Sequence, residues 1–395
     1  MMILDVIIIG AGAAGLMSAV SAVESGKSVL ILEANAKPGL KILISGGGRC
    51  NFTNRRVTSN EFVSENPHFC TSALHQFTEG DFIQMVEGAG IPFYEKTLGQ
   101  LFCKHNSRDI LEMLLQKIAS PACTLLTGTQ VGEVSQREGG FSVRYNDRIA
   151  VAKNLIVATG GLSFPKLGAT DFGYRLAKQF GHPITKLSPA LDGFLFSDPD
   201  QQRFKGLEGI SIEATISCRG RSFTENILFT HVGLSGPAAL KGSLFWFPGD
   251  PVGIDFLPAI ADVPTWLDQK KRSDPKKTFL KVISETMSRR LAIAILNQTS
   301  LADKKIADLS KTDSIQLLRL FKEFSLIPRS TVGYHKAEVT RGGVVTDELS
   351  SKTMESKRRR GLFFVGEVID VTGLLGGYNF QWAWSSGWVA GKNLR

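Results

Sequence analysis

Apolar residues are arranged in two different ways along the chain. Near both ends they form short unbroken runs that stop at glycine, and through the middle they alternate with polar positions. Residues 3 to 9, ILDVIII, read as a strand buried on both faces, and residues 13 to 25 as a helix of small and apolar side chains. Residues 28 to 32, SVLIL, follow as a second strand ending at Glu33, which makes a βαβ unit of about 30 residues. Farther on, DFIQMVEGAG (81 to 90) and SRDILEMLLQKIAS (107 to 120) carry helical spacing, while FSVRYN and NLIVATGG read as strands.

From about residue 190 the pattern changes. SIEATISC (211 to 218) and VGIDFL (252 to 257) alternate as short antiparallel strands do. After the charged stretch 268 to 277, TFLKVISETMSRRLAIAIL places Phe279, Val282, Ile283, Met287, Leu291 and Ile295 close to one stripe. That spacing predicts an amphipathic helix, and SIQLLRLFKEF predicts a shorter one. GLFFVG (361 to 366) returns to a buried-strand pattern, and the chain closes on a helical segment from about Asn379.

An α/β fold follows, with a Rossmann-like domain from residues 1–190 and 330–395 and an insert over 191–329. The insert is expected to be β-rich over 191–262 and helical over 263–329. A chain of 395 residues is long enough for this division. Its 43% hydrophobic and 21% charged content is that of a core-forming globular protein.

The formal charge of +9 gathers partly in Lys270, Lys271, Arg272, Lys276 and Lys277 and in Lys357, Arg358, Arg359 and Arg360. Neither run interleaves aromatic residues, so solvated surface is expected there ahead of a single-strand nucleic-acid platform. The five cysteines include no CxxC and no metal-ligand spacing, which fits a reducing cytoplasm and argues against a structural zinc. The apolar N-terminus has Asp5 before its run and no basic leader, and no stretch is long enough to span a membrane. A cytoplasmic protein is expected.

GAGAAG, with Gly10, Gly12 and Gly15, is a G-x-G-x-x-G between a strand and a helix. In that context Gly10 permits the tight turn, Gly12 admits a pyrophosphate, and Gly15 lets helix and strand approach. Ala13 and Ala14 then open the helix whose N-terminus favours the anion. Glu33 stands where an adenosine ribose would be bound.

A nicotinamide enzyme would need neither of two later elements, NLIVATGG with Thr159, Gly160 and Gly161, and GLFFVGEVID with Gly366 and Glu367. Flavoproteins of the two-dinucleotide-binding type carry such an ATG-like turn beside the cofactor and a late acidic residue on the ribityl chain. FAD is therefore the expected cofactor, with Glu367 at the ribityl chain and Asp370 supporting its loop.

The strings KILISGGGRCNFTN, LFTHVGLSGPAAL and FFVGEVIDVTGLLGGYNFQWAWSSG closely resemble the BaiN-like (YhiN-type) NAD(P)/FAD-dependent oxidoreductases over essentially the whole chain. The resemblance implies an FAD domain built from both chain ends around a β-barrel-like and helical insert. It also implies that Val131 offers backbone groups to the adenine. Members include an aminoacetone oxidase and a reductase of steroid-like enones, so the substrate stays open.

LLGGYNFQWAWSSG puts Gly376 and Gly377 before a helix whose first residues are Tyr378, Asn379 and Phe380. Its N-terminus would stabilise negative charge on a reduced flavin. Trp382, Trp384 and Trp388 are expected to pack in the core. In ISGGGRCNFTN the glycines, Gly46 and Gly47 among them, are expected to approach the cofactor, with Ser45 and Asn51 as side-chain contacts. Lys41 and Arg49 would add positive charge. Cys50, placed in the same loop, reads as a packed residue and not a nucleophile.

The catalytic group stays unassigned; His231, Tyr378 and Asn379 are the candidates, with Ser235, Tyr334 and His335 as further guesses. His335 and Lys336 depart from the residues the resemblance leads one to expect. The first reading is FAD-dependent hydride transfer through N5, with NAD(P)H docking transiently as donor and a small organic molecule as acceptor. An amine oxidase of the aminoacetone type, producing hydrogen peroxide, is the second. An FAD-carrying protein that binds or modifies nucleic acid is the third.

Overall fold

The computed structural model describes residues 3–297 and 299–395, which divide into two compact units, each with its own hydrophobic core. The first runs to Pro189 and resumes at Glu338; the second spans Ala190–Ala337.

The first unit is built on a seven-stranded sheet. Strand β1 (Leu4–Ile9) is followed by helix α1 (Ala13–Glu24) and strand β2 (Val29–Leu32). Strands β3 (Cys123–Leu126), β4 (Val131–Arg137), β5 (Gly140–Tyr145), β6 (Arg148–Val157) and β7 (Leu362–Phe364) complete it. β1 runs parallel to β2 on one side and to β6 on the other, and β3 lies parallel beyond β2. Val6 to Ile9 and Val29 to Leu32 are all buried, as unbroken aliphatic runs in a sheet covered on both faces should be.

On the side away from β1, β6 serves two ladders. Its first half pairs antiparallel with β5, which turns into β4, and its last residues, Leu155 to Val157, pair parallel with β7. The strand therefore begins earlier than the apolar run in NLIVATGG indicates and stops before the Gly160–Gly161 pair. β3 has no clear alternation in sequence, and its pairing with β2 gives it its place.

The final helix, α2 (Tyr378–Lys392), packs along α1. A Cβ on Gly387 would overlap the Ala14 carbonyl oxygen and one on Gly391 the Ser18 carbonyl oxygen, so the backbones are nearly in contact. Because a step of four residues on α2 matches a step of four on α1, the helices run parallel. Ser21 Oγ adds a 2.9 Å hydrogen bond to the Trp388 carbonyl.

The second unit carries a seven-stranded antiparallel sheet, ordered 324–326, 252–255, 211–218, 221–229, 233–235, 194–195 and 330–331. Strand Ser330–Thr331 pairs with Phe194–Leu195, so residues 330 to 337 stay with this unit and the return falls at Glu338, not 330. The stripe expected to form one helix over 278 to 296 is two, Phe279–Ile283 and Arg289–Leu296. Ser288 caps the second by accepting from Leu291 N, and Ser284 Oγ bonds back to the Leu280 carbonyl where the first ends. Hydroxyl groups that compete for backbone partners thus interrupt a stripe whose apolar spacing is helical throughout.

Gly391→Ala should destabilise the protein by about 1–3 kcal/mol through overpacking of α1 against α2. The measurement is the urea midpoint; an unchanged midpoint would contradict this close helix contact.

Candidate functional site

The residues that follow β1, β2, β6 and β7 all lie at the carboxyl ends of parallel strands, where open α/β sheets bind their ligands. After β1, Gly10 has φ of +103°, and a Cβ there would come within 2.5 Å of the Ala158 carbonyl oxygen. Gly12 is the N-cap of α1 and faces open space. Gly15 lies directly against Gly10, with Ala13 and Ala14 beside it in the first turn. That turn holds no acidic residue and no capping side chain, which leaves its N–H groups to an anion.

Glu33 is buried at the end of β2. One oxygen accepts from Ala11 N at 2.7 Å and the other from Asn35 N and Nδ2, each at 2.8 Å. Three donors leave about one of a carboxylate's roughly four acceptor positions. A ribose hydroxyl can use it.

Glu367, after β7, anchors a second network. Lys41 Nζ pairs with it at 2.7 Å, Thr340 N donates to it at 2.8 Å, and Ser163 Oγ donates at 3.2 Å. Lys41 also donates to Ser163 Oγ at 2.8 Å, and Leu162 N donates to Thr340 Oγ1. Gly161 fits closely beneath, where a Cβ would lie 2.5 Å from both Glu367 Oε1 and Thr340 Oγ1, while Gly160 faces open space. Thr159 Oγ1 is buried without a partner. Gly366 is held by Ser386, which accepts its N–H, and by Trp382, which donates to its carbonyl. Ser163 and Thr340 carry no motif, and only the fold brings them to Glu367 and Lys41.

The glycine triplet ends a short helix that starts at Leu40. Ser45 leaves helical geometry, and Gly46 and Gly47 take left-handed φ of 57° and 66°. Ser45 Oγ donates to the Ile42 carbonyl, so the turn itself uses the hydroxyl expected on the cofactor. Gly46 packs on Asn51 N and Phe102, while Gly47 and Gly48 face open space. Arg49 is exposed and reaches the Tyr94 hydroxyl at 3.3 Å. Cys50 is fully buried, and burial raises its thiol pKa well above the ordinary range, which keeps it protonated. Asn51 lies 3.2 Å from both Gln100 Oε1 and Gly377 N.

Gly377 caps α2, whose first turn also lacks an acidic residue and a capping side chain. Asn54 Nδ2 donates to the Gly376 carbonyl at 3.0 Å. The Asn379 carboxamide closes its own loop, accepting from Gly373 N and donating to the Gly373 carbonyl, so it supports the helix start from within. Tyr378 meets Phe62 edge-on. Phe380 and Phe82 both stack on Trp384, whose indole N–H donates to the Phe52 carbonyl. Trp382 and Trp384 are buried, and the half-buried Trp388 stacks on Phe77.

Asp370 is buried and accepts from Glu65 N at 2.9 Å, with burial raising its pKa. Val131 opens β4 beside a bulge and is half-buried.

His231, Ser235, Tyr334, His335 and Lys336 all belong to the second unit. The His231 side chain is 89% exposed and lies 4.0 Å from Glu208. Much of the charge in the two basic runs is matched locally. Lys270 and Lys277 both pair with Asp274 and Glu285, and Arg358 pairs with Glu348.

These residues fit FAD. The open face at Gly12 and the uncapped start of α1 suit its pyrophosphate, Glu33 its ribose, and the uncapped start of α2 its ring. The HI0933-like protein Rossmann domain family matches residues 4–393. The chain is 43% identical over 391 residues to a ribosomal RNA dihydrouridine synthase of Escherichia coli strain K12, covering 99% of this chain and 98% of that one. It is 44% identical over 393 residues to a protein of the same name from Haemophilus influenzae, covering 98% of each. A 3-dehydro-bile acid delta(4,6)-reductase of Clostridium scindens is 29% identical over 402 residues, covering 98% of this chain and 97% of that one.

Gly12→Asp should fold, because the position is open, yet purify without bound flavin, because its carboxylate opposes the pyrophosphate; the absorbance spectrum reads this. Cys50→Ser should retain the flavin and keep turnover within a few-fold, and abolished turnover with flavin still bound would make the thiol catalytic.

Proposed function

The chain belongs to the HI0933-like family and is an FAD-dependent oxidoreductase, and we propose that the bond it reduces is the C5=C6 double bond of a uridine in ribosomal RNA. The carrying observation is its likeness, over nearly the full length of both chains, to two relatives named for forming dihydrouridine in ribosomal RNA. The relative named as a bile acid reductase supports the same class of chemistry. Each of these reactions saturates a carbon–carbon double bond conjugated to a carbonyl group, adding a hydride to one carbon and a proton to another.

FAD, when bound, supplies the hydride from N5 of its ring. The residues of the chain provide position and charge. The first turn of α1 would hold the pyrophosphate with its free N–H groups, and Glu33 would take the ribose. The first turn of α2, without acidic side chains, would offer positive dipole to the ring of the cofactor. Lys41 gives two of its three N–H donors to Ser163 and Glu367, which leaves one for an oxygen of the cofactor or of the acceptor. With the one G-x-G-x-x-G of the chain given to FAD, a nicotinamide serving as electron donor would dock transiently.

RNA modification thereby moves ahead of the small-acceptor reading favoured by the sequence. Reduction of a small enone is the second reading, favoured by the bile acid reductase. None of the three relatives is named for amine oxidation.

The test is anaerobic incubation of the FAD-loaded protein with NADH or NADPH and ribosomal RNA from a strain lacking the protein. A discrete uridine should gain two hydrogens, measured by mass spectrometry of nuclease fragments. No gain in the RNA, with rapid flavin reoxidation by a steroid enone, would replace this reading with the second. Rapid reoxidation only by air, with peroxide formed from an amine, would replace both.

A further inference from the structure

The hairpin formed by strands Phe93–Glu95 and Gln100–Cys103 is not used by the fold's cofactor elements, yet it is tied to two of them. Gly46 packs on Phe102, and Asn54 donates at 3.0 Å to both the Leu98 carbonyl at the hairpin tip and the Gly376 carbonyl next to the start of α2. At that tip Leu98 is 65% exposed, the most exposed large apolar side chain among the described residues. Its φ is +52°, a left-handed value that costs energy in a residue with a branched side chain. An exposed apolar side chain held in a strained backbone is poor for stability and solubility alike.

The surface around the tip is basic. Arg49, Arg55, Arg56, Lys96 and Lys104 are exposed, and Arg55 pairs with Glu95 at 2.8 Å. Arg49, Arg56, Lys96 and Lys104 have no ion-pair partner among the described residues. Tyr94 stacks on Phe102 with ring centroids 5.9 Å apart, and Lys96 lies 5.5 Å from the Phe102 centroid. Aromatic rings beside unpaired cations are what a single-stranded nucleic acid needs, whereas in the 270 cluster Lys270 and Lys277, although Lys270 lies over Trp266, are held by Asp274 and Glu285.

Resting on the reading of ribosomal RNA as substrate, we propose that this hairpin is the surface that docks the RNA, and that Leu98 enters the base stack in place of the uridine to be reduced. A uridine in a folded RNA presents C5 and C6 to a flavin only after leaving its stack, as for other enzymes that act on a base. Apolar wedges between bases serve this purpose in proteins that deform nucleic acids. Lys96, Lys104 and Arg56 supply the phosphate contacts, and Tyr94 a ring against which a base can rest.

The experiment uses the whole FAD-loaded protein and a ribosomal RNA fragment containing the uridine that it reduces, with 2-aminopurine as the neighbouring base. Wild type should raise the 2-aminopurine fluorescence. Leu98→Gly, which relieves the positive φ and so should not lower stability, should diminish that rise and slow dihydrouridine formation by about tenfold or more. Leu98→Met should restore both.

The same Leu98→Gly protein should act almost normally on a short unstructured oligonucleotide, whose uridine is already unstacked. R56Q, K96Q and K104Q should each weaken RNA binding and reduce its salt slope by about 1, with the flavin spectrum unchanged.

Wild-type unstacking and rate in Leu98→Gly would overturn the wedge. Unchanged affinity in all three charge variants would overturn the docking surface. Wild-type protein that binds ribosomal RNA through these residues but forms no dihydrouridine would remove the proposed reaction and leave the docking surface standing. Failure of wild type to bind ribosomal RNA would remove both.

Discussion

Backbone contact between the first and last helices is the constraint on which the cofactor end of the molecule depends. Gly387 and Gly391 remove the side chains that would hold α2 away from Ala14 and Ser18. The two helices run parallel, and the nine steps from Tyr378 to Gly387 carry the start of α2 about 13 Å past the start of α1 at about 1.5 Å per residue. Two helix N-termini therefore face the same end of the unit at different depths. One suits a pyrophosphate and the other a ring, so chain ends far apart in sequence can contribute to one cofactor site.

Electrostatics follow from that placement. Neither helix start carries an acidic residue in its first turn, so backbone N–H groups supply the positive potential. The carboxylates that do approach, Glu33 and Glu367, are each satisfied by three donors and act as fixed struts. Glu367 holds Lys41, and through Ser163 and Thr340 it joins the segments after β6 and before β7 to the helix that carries the lysine. Burial keeps Cys50 protonated in the same loop. The loop thus presents backbone and not a reactive sulfur.

Local patterns reveal part of this site and hide the rest for definite reasons. Gly10, Gly12, Gly15 and Glu33 are legible because one βαβ unit contains their turn, their helix start and their strand end. Lys41 is legible only as a charge near a glycine-rich loop, since its partners Ser163 and Glu367 lie more than 120 residues away in sequence. At the tip Gly99 marks a turn, but nothing in the sequence shows that Leu98 before it is left-handed as well. The helical stripe over 278 to 296 misleads for the opposite reason, because periodicity records which side faces the core and does not register a break capped by Ser288.

By itself the sequence determined a Rossmann-like α/β unit for FAD, formed from both chain ends, because unbroken aliphatic runs and turn glycines act within a few residues of one another. It could not decide which polar groups would share a proton or a charge. Nor could it decide that Ser45 and Asn379 would spend their side chains on their own loops. The tertiary structure decided these, since a hydrogen bond forms at about 3 Å between groups that the chain brings together only when its strands and helices pack. The same packing set the basic hairpin beside the start of α2, turning five scattered arginines and lysines into one surface.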